Sequence, residues 1–246
     1  MAFAGPVDVT GEVAVVSRDG HKALTQAGCT DIHVVWAPGT VHLGATCNDG
    51  NVLTALDLNA CYINKDAALI PQSNGGGFSS CHSCELQEDN KKLKCACGAD
   101  SATFWYTTVN LDDTVFVNAN GRLGCWDHEG VGGTPFSKGC SGVELAGTSI
   151  QGYCKAGSLY CTTLDLPACI GNNDGSLNPW DGGGFDKNCE RCHLVDGFKY
   201  HCQCWNIDHT SKWETEVDLN QVIYASDSGA ISCFNTIGEP LNCWGM

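Results

Sequence analysis

The chain repeats itself, and that constrains its fold more than any other feature. The segment LDLNACYINKDAAL, Leu56 to Leu69, returns as LDLPACIGNNDGSL, Leu164 to Leu177, and each copy runs on into glycines and a Phe. CHSCELQEDNKKLKCAC, Cys81 to Cys97, is matched at the same displacement by CERCHLVDGFKYHCQC, Cys189 to Cys204. A fainter echo of the LDL segments appears at Val109 to Leu123 and again at Val217 to Ile231. The 246 residues therefore read as a tandem duplication of a pair of units, four units of about 50 residues each.

Every unit follows one plan: a Cys, an apolar residue five positions on, a turn, then an apolar residue four positions before a second Cys. Cys29, Val34, Leu43 and Cys47 give the first unit, and Cys81, Leu86, Leu93 and Cys97 the second. Cys140, Leu145, Ile150 and Cys154 give the third, and Cys189, Leu194, Tyr200 and Cys204 the fourth. Short alternating runs such as Ile32-His33-Val34-Val35-Trp36, punctuated by Gly and Asn/Asp turns, have the period of strands and not of helices. The expected fold is all-β: two tandem domains, residues 1–133 and 134–246, each made of two repeats with three-stranded sheets and hairpins. An extra N-terminal segment, 1–26, precedes the repeats, and VDVTGEVAVVSRDG within it reads as an added hairpin.

If the two cysteines of a unit sit on neighbouring strands, Cys29–Cys47, Cys81–Cys97, Cys140–Cys154 and Cys189–Cys204 each close a short loop. Each closure restricts the unfolded chain by about 3 kcal/mol in the loop-entropy picture. Cys84 with Cys95, and Cys192 with Cys202, nest inside two of those loops as residues facing one another across a hairpin. Six cysteines remain whose pairing the sequence does not determine. The duplication favours Cys61–Cys125, Cys169–Cys233 and Cys161–Cys243. A zinc-knuckle reading of Cys-x2-Cys followed by Cys-x-Cys, with His82, His193 and His201 as further ligands, leaves the other cysteines unexplained, and the gap is short for a zinc ribbon. No metal and no cofactor is expected.

Eighteen cysteines suit an oxidising, extracellular setting, so a secreted protein is expected. With 13 Lys plus Arg against 28 Asp plus Glu, a formal charge of -15, the chain has no basic footprint for nucleic acid or anionic membrane surfaces. Neither is expected as a partner.

The pattern of Phe, Cys, Leu, a second Cys, LDL with an apolar tail, and Asn-x-Asp-Gly-Ser-Leu resembles the cyanovirin-N homology family. TTLDLPACIGNNDGSL followed by GGGFDKNCERCHL, Thr162 to Leu194, is its clearest instance. The Cys-rich tandem form is similar to fungal members. The resemblance implies two units per domain that exchange strands, and metal-free binding of high-mannose glycans in shallow pockets at the two ends of each domain. Onto this chain it carries Asn172, Asp174, Gly183, Gly184 and Asn188 in the third-unit pocket, and Asn64 and Asp66 in the first. Asn118 and Asn120, with Asp227 in the other domain, match the closing turn. Several family positions differ: Gly171 stands where an acidic residue is expected, Ala67 where the turn has Gly, and Ile207 and His209 where Arg and Gln are expected. The competing reading is structural, since Asn and Asp beside Gly in β proteins commonly build turns.

The sequence contains no nucleophile elbow, zincin helix motif or phosphate-binding loop. The acid pairs Asp112/Asp113 and Asp127/Glu129 are ordinary in so acidic a chain. Carbohydrate binding without catalysis is the first reading. The alternative is a small-molecule-binding protein, or an enzyme of secondary metabolism, whose apolar interdomain cleft orients a cyclisation or cycloaddition. Trp105, Tyr106, Trp126, Trp205 or Trp213 would line such a cleft, and Trp180 would either stack on a ligand or cover the core. A third reading is an effector acting at cell surfaces. The assembly is expected to be a monomer or a domain-swapped dimer.

Overall fold

The computed structural model describes residues 20–37, 39–99, 103–156 and 158–241. The hairpin expected within residues 7–20 falls almost entirely outside them. The described chain is nearly all β, as the periodicity requires. A short strand β1 (Lys22–Ala23) precedes a three-stranded meander of β2 (Thr30–Ala37), β3 (Thr40–Cys47) and β4 (Val52–Asp57), then the hairpin β5 (Tyr62–Lys65) and β6 (Ala68–Pro71). The second unit repeats this with β7 (Cys81–Gln87), β8 (Lys92–Gly98) and β9 (Phe104–Asn110), then β10 (Phe116–Val117) and β11 (Leu123–Cys125). After β12 (His128–Glu129) and β13 (Val131–Pro135), the third unit comprises β14 (Cys140–Ala146), β15 (Ser149–Ala156), β16 (Ser158–Asp165), β17 (Ile170–Asn173) and β18 (Ser176–Pro179). The fourth comprises β19 (Cys189–Val195), β20 (Lys199–Trp205), β21 (Lys212–Asp218), β22 (Tyr224–Ala225) and β23 (Ile231–Cys233), with β24 (Thr236–Ile237) and β25 (Glu239–Pro240) after it.

The cysteine framework is the expected one. Cys81 faces Cys97, Cys140 faces Cys154 and Cys189 faces Cys204 as direct cross-strand pairs. The disulfides Cys29–Cys47, Cys81–Cys97, Cys84–Cys95, Cys140–Cys154, Cys189–Cys204 and Cys192–Cys202 are all formed, as are Cys61–Cys125 and Cys169–Cys233. Cys161 is also disulfide-bonded, and its expected partner Cys243 lies outside the described residues. Among the described residues no cluster of His, Cys, Asp or Glu is arranged to hold a metal ion. The sulfurs of the zinc-knuckle reading are paired with one another.

One local device recurs that the sequence did not announce. Each first strand carries a β-bulge two residues after its Cys, with a left-handed residue at that position: Asp31 (φ 51°), Ser83 (φ 52°), Gly142 (φ 59°) and Arg191 (φ 54°). The bulge bends the strand and increases its twist, which lets the meander wrap the core.

Units exchange their hairpins. The second hairpin strand of each unit docks on the last sheet strand of its sibling, and the same hydrogen bond marks all four junctions. The backbone N–H of Leu69 donates to Thr107 Oγ1 (3.2 Å), Leu123 to Thr54 (3.1 Å), Leu177 to Thr215 (2.9 Å) and Ile231 to Thr162 (2.9 Å). A hairpin covers only one face of a sheet, so neither unit buries its own apolar side. Two cores result, one around Leu43, Tyr62, Phe78 and Leu93, the other around Phe136, Phe185, Tyr200 and Ile231.

The connection between the halves is a strand shared by both. β13 pairs with β4 from Val131 to Gly133 and with β22 from Thr134 to Pro135, joining both halves in one seven-stranded sheet, β2-β3-β4-β13-β22-β23-β24. The change of partner falls between Gly133 and Thr134. A Cβ on Gly132 would overlap Leu53 O, and one on Gly133 would overlap Ala225 O, so these glycines permit close backbone approach. Adjacent residues on β2 then divide between the cores: Val34 packs on the first and Val35 on the second.

Candidate functional site

The sequence-derived loop residues are used first to hold their own turns. Asn172 Nδ2 donates to Trp205 O (2.8 Å) while its Oδ1 accepts the Gly175 N–H (2.8 Å). Asp174, left-handed at φ 49°, accepts the Ile207 N–H through Oδ1 (2.9 Å). Asn188 contributes its backbone carbonyl to Trp205 N (2.9 Å). Gly184 bridges Gly171, and Gly183 lies so close to Gly171 that a Cβ would come within 2.5 Å of its Cα. In the first domain Asn64 makes the equivalent clasp, donating through Nδ2 to Gly98 O (2.8 Å) and to Ser80 Oγ (2.7 Å). Asp66 and Ala67 make the tight turn, both left-handed at 52° and 65°.

The closing turn of the second unit opens onto a real concavity. Asn118 Oδ1 accepts the N–H groups of Asn120 (2.9 Å) and Arg122 (3.0 Å), and Gly121 at φ 80° completes the turn. This geometry places Asn120 and Arg122 beside the loop carrying Asn51. Thr134 and Asp227 approach from the other domain, and Glu129 closes one side. These side chains line a cleft of about 540 Å³. Arg122 is held in it: Nη2 donates to Asp227 Oδ2 (2.5 Å) and to Gly132 O (3.4 Å), and Nη1 lies 3.7 Å from Glu129 Oε1. Of the cleft's side chains, Asn120 and Asp227 were visible as family positions. Glu129 appeared only within an ordinary surface acid pair, and Asn51, Arg122 and Thr134 were not singled out; a lone Arg closing an Asn-x-Asn-Gly turn was the available signal.

The five aromatic residues expected to line an interdomain cleft are not gathered there. Trp105 (62% exposed) and Tyr106 (71%) stand on β9, and Trp213 (57%) occupies the equivalent place on β21 against Gly175. Trp126 donates Nε1–H to Cys61 O (3.2 Å), and Trp205 lies under Lys212 Nζ at 4.4 Å. Among the described residues the crevices between the domains have other walls. Trp180, Pro179, Asn178 and Asn173 face His33, Val35 and Gln221 across a groove of about 330 Å³. His42, Asp57, His128, Glu129 and Asn235 line another of about 190 Å³.

His42 sits deep in the seam at 3% exposure, its ring 5.0 Å from Phe234 and its Nε2 3.7 Å from Asp181 Oδ2. Burial pushes its pKa below the usual histidine value against the opposing pull of Asp57 and Asp181. Of the acid pairs set aside as ordinary, Asp112 accepts the Thr25 N–H (3.0 Å) and Asp113 accepts from Asn110 Nδ2 (2.9 Å), while Asp127 and Glu129 lie 3.5 Å from His128 Nε2 and 3.7 Å from Arg122 Nη1.

Residues 26–124 and 136–233 each match the CVNH domain. The chain belongs to the CVNH family. It is a tandem CVNH protein, and the cyanovirin-N homology seen in its repeats is thereby shown across about four fifths of its length. Among curated proteins none matches it in sequence. Solved structures resemble parts of it. A MoCVNH3 variant in complex with (N-GlcNAc)4 is 14% identical over 40% of this chain and 95% of its own, at a TM-score of 0.37. The Gibberella zeae CVNH protein is 22% identical over 40% and 96%, at 0.36. Microvirin, solved with mannobiose, is 28% identical over 40% and 96%, at 0.34.

Proposed function

We propose that this tandem CVNH protein is a secreted, non-catalytic lectin that binds mannose-type glycans, with the cleft around Asn120 and Arg122 as its principal site. The observation that carries this reading is the chemistry of the cleft wall. Two amides, a guanidinium, a hydroxyl and two carboxylates converge on a space large enough for a short oligosaccharide. Vicinal sugar hydroxyls donate and accept at once, so they need donors and acceptors side by side, and a rigid turn supplies both without reorganisation. Arg122 is already fixed by Asp227 and Glu129, which presents its remaining N–H groups in a set geometry. Family membership supports the ligand class, and eight disulfides among the described residues support the extracellular setting.

The loops at Asn64/Asp66 and at Asn172/Asp174/Gly183/Gly184/Asn188 are proposed as weaker, secondary sites that engage sugar through backbone groups. Titration calorimetry with mannobiose on the full chain tests the ranking. Asn51→Ala with Asn120→Ala should weaken binding tenfold or more, whereas Asn173→Ala should leave it unchanged. Retained affinity in the double variant removes the cleft as the principal site, and no mannose-type binding by the wild-type chain removes the mannose assignment.

A further inference from the structure

The internal duplication lets the protein serve as its own control on the two outer strands β9 and β21. Their sequences, FWYTTVN and KWETEVD, agree at three positions. Thr107 and Thr215 accept the hairpin N–H at the junctions, and Val109 and Val217 are buried in the two cores. The third pair, Trp105 and Trp213, is more than half exposed and does neither. The exposed positions around it have diverged, Phe104 against Lys212, Tyr106 against Glu214 and Thr108 against Glu216. Phe104 lies on His82 and Tyr106 under Lys94, whereas among the described residues neither Trp105 nor Trp213 is paired with a ring or a cation.

The two indoles hold equivalent places beside equivalent turns. Trp105 is the cross-strand partner of Cys97 and Trp213 of Cys204, as Val52 is of Cys47. Val52 lines the cleft around Arg122 and lies against its turn, where a Cβ on Gly121 would come within 3.3 Å of Val52 Cγ2. Trp213 lies likewise against Gly175, whose Cβ would come within 3.4 Å of the indole Cγ. The residue before each of these glycines is Asn120 in the cleft and Asp174 beside Trp213, and the matching turn of the first domain has Asp66 and Ala67. Both turn acids are exposed, and Asp174 uses only Oδ1 to hold the Ile207 N–H, which leaves its second oxygen to accept from a ligand.

We propose that Trp105 and Trp213 are the floors of two equivalent sugar sites, one per domain, and that these take β-linked, gluco-configured oligosaccharides in preference to α-mannosides. The proposal rests on the lectin reading for carbohydrate as the ligand class, but not on the cleft at Arg122. An exposed indole offers a flat apolar face, and a pyranose stacks on it where the ring face carries C–H bonds alone. A β-linked glucose or N-acetylglucosamine unit has every ring substituent equatorial, so either face fits. An α-mannosyl unit has an axial oxygen on each face, O1 on one and O2 on the other, and each holds the ring off the indole. Equatorial hydroxyls point outward in the ring plane, where a turn carboxylate accepts from them. Val52 is too small to act as such a floor, and in its cleft polar side chains from both domains form the walls instead.

Titration calorimetry on the full-length protein tests this with chitotetraose and cellotetraose as probes and mannobiose as the comparison. Two equivalent sites per chain are expected for at least one β-linked probe. Trp105→Ala or Trp213→Ala alone should lower the stoichiometry from two to one, and the two together should weaken binding tenfold or more. Trp105→Tyr with Trp213→Tyr keeps an aromatic floor and should retain most of the affinity. Phe104→Ala with Tyr106→Ala, whose rings are already covered, should bind like wild type. Mannobiose binding should survive loss of both tryptophans, and binding of the β-linked probe should survive Asn51→Ala with Asn120→Ala, so failure here and failure of the cleft assignment are told apart. Urea unfolding of each variant confirms that it is folded. The inference is overturned if neither probe binds, if the double Trp→Ala variant binds like wild type, if the Phe104/Tyr106 variant loses the probe, or if mannobiose binding disappears with the tryptophans.

Discussion

The four threonines at the hairpin junctions invite a graded test, because their surroundings differ while their chemistry does not. Thr54 and Thr162 are 1% and 2% exposed, whereas Thr107 and Thr215 are half-buried. Replacing Thr162 by Val keeps the shape but removes the acceptor of the Ile231 N–H, which water cannot then reach. An orphaned buried donor costs about 1–3 kcal/mol, and the added methyl returns no more than about 0.8 kcal/mol of burial. The net loss for Thr162→Val, and equally for Thr54→Val, should be about 1–2 kcal/mol. At Thr107 and Thr215 water can take over the N–H of Leu69 or Leu177, and the loss should stay under about 0.5 kcal/mol. Urea unfolding at constant slope measures these differences, and hydrogen exchange at the Ile231 and Leu69 amides locates them. Equal effects at all four sites, or an Ile231 amide still fully protected in Thr162→Val, would refute the claim that these bonds hold the exchanged hairpins.

Two further outcomes follow from the same geometry. Asn172→Ala should cost about 1–2 kcal/mol, because it removes partners from both Gly175 N–H and Trp205 C=O, while Asn173→Ala should cost almost nothing in urea unfolding. A glycan-facing Asn172 with no structural role would lose affinity and keep its stability. For His42, burial lowers the folded pKa below 6.5, so the unfolded chain binds the extra proton between the folded value and 6.5. Stability from keeping the ring neutral is complete above about pH 6.5 and falls as pH drops through that window. His42→Phe should remove this segment of the pH profile relative to wild type, with Asp57 and Asp181 as the other charges facing the ring; a parallel pair of profiles would exclude the effect.

Most of the framework could be read from the residues in order. The repeat, its period-two apolar runs and the cysteine spacing determine four sheet units, because strand pairing and disulfide closure depend on neighbours within a few tens of residues. The Asn-x-Asp-Gly segments were legible as turns for the same reason. Their clasps were not, since Asn172 reaches Trp205 and Asn64 reaches Gly98 only after two units have folded on each other. The aromatic residues misled because exposure is a tertiary property: Trp105 and Trp213 look like core or cleft residues in sequence and stand on outer strands.

What tertiary structure alone decided was the seam. Gly130 to Gly133 reads only as part of a very short connection, and its glycines are required where two domains press a shared strand between them. Val34 and Val35 are indistinguishable as letters, but strand alternation sends one to each core once β13 has joined the sheets. Arg122 and Asp227, more than a hundred positions apart, meet only through that joining. Local periodicity specifies which face of a strand is buried, but not against what; the partner is set by long-range packing, and the cleft at Arg122 lies where that packing was decided.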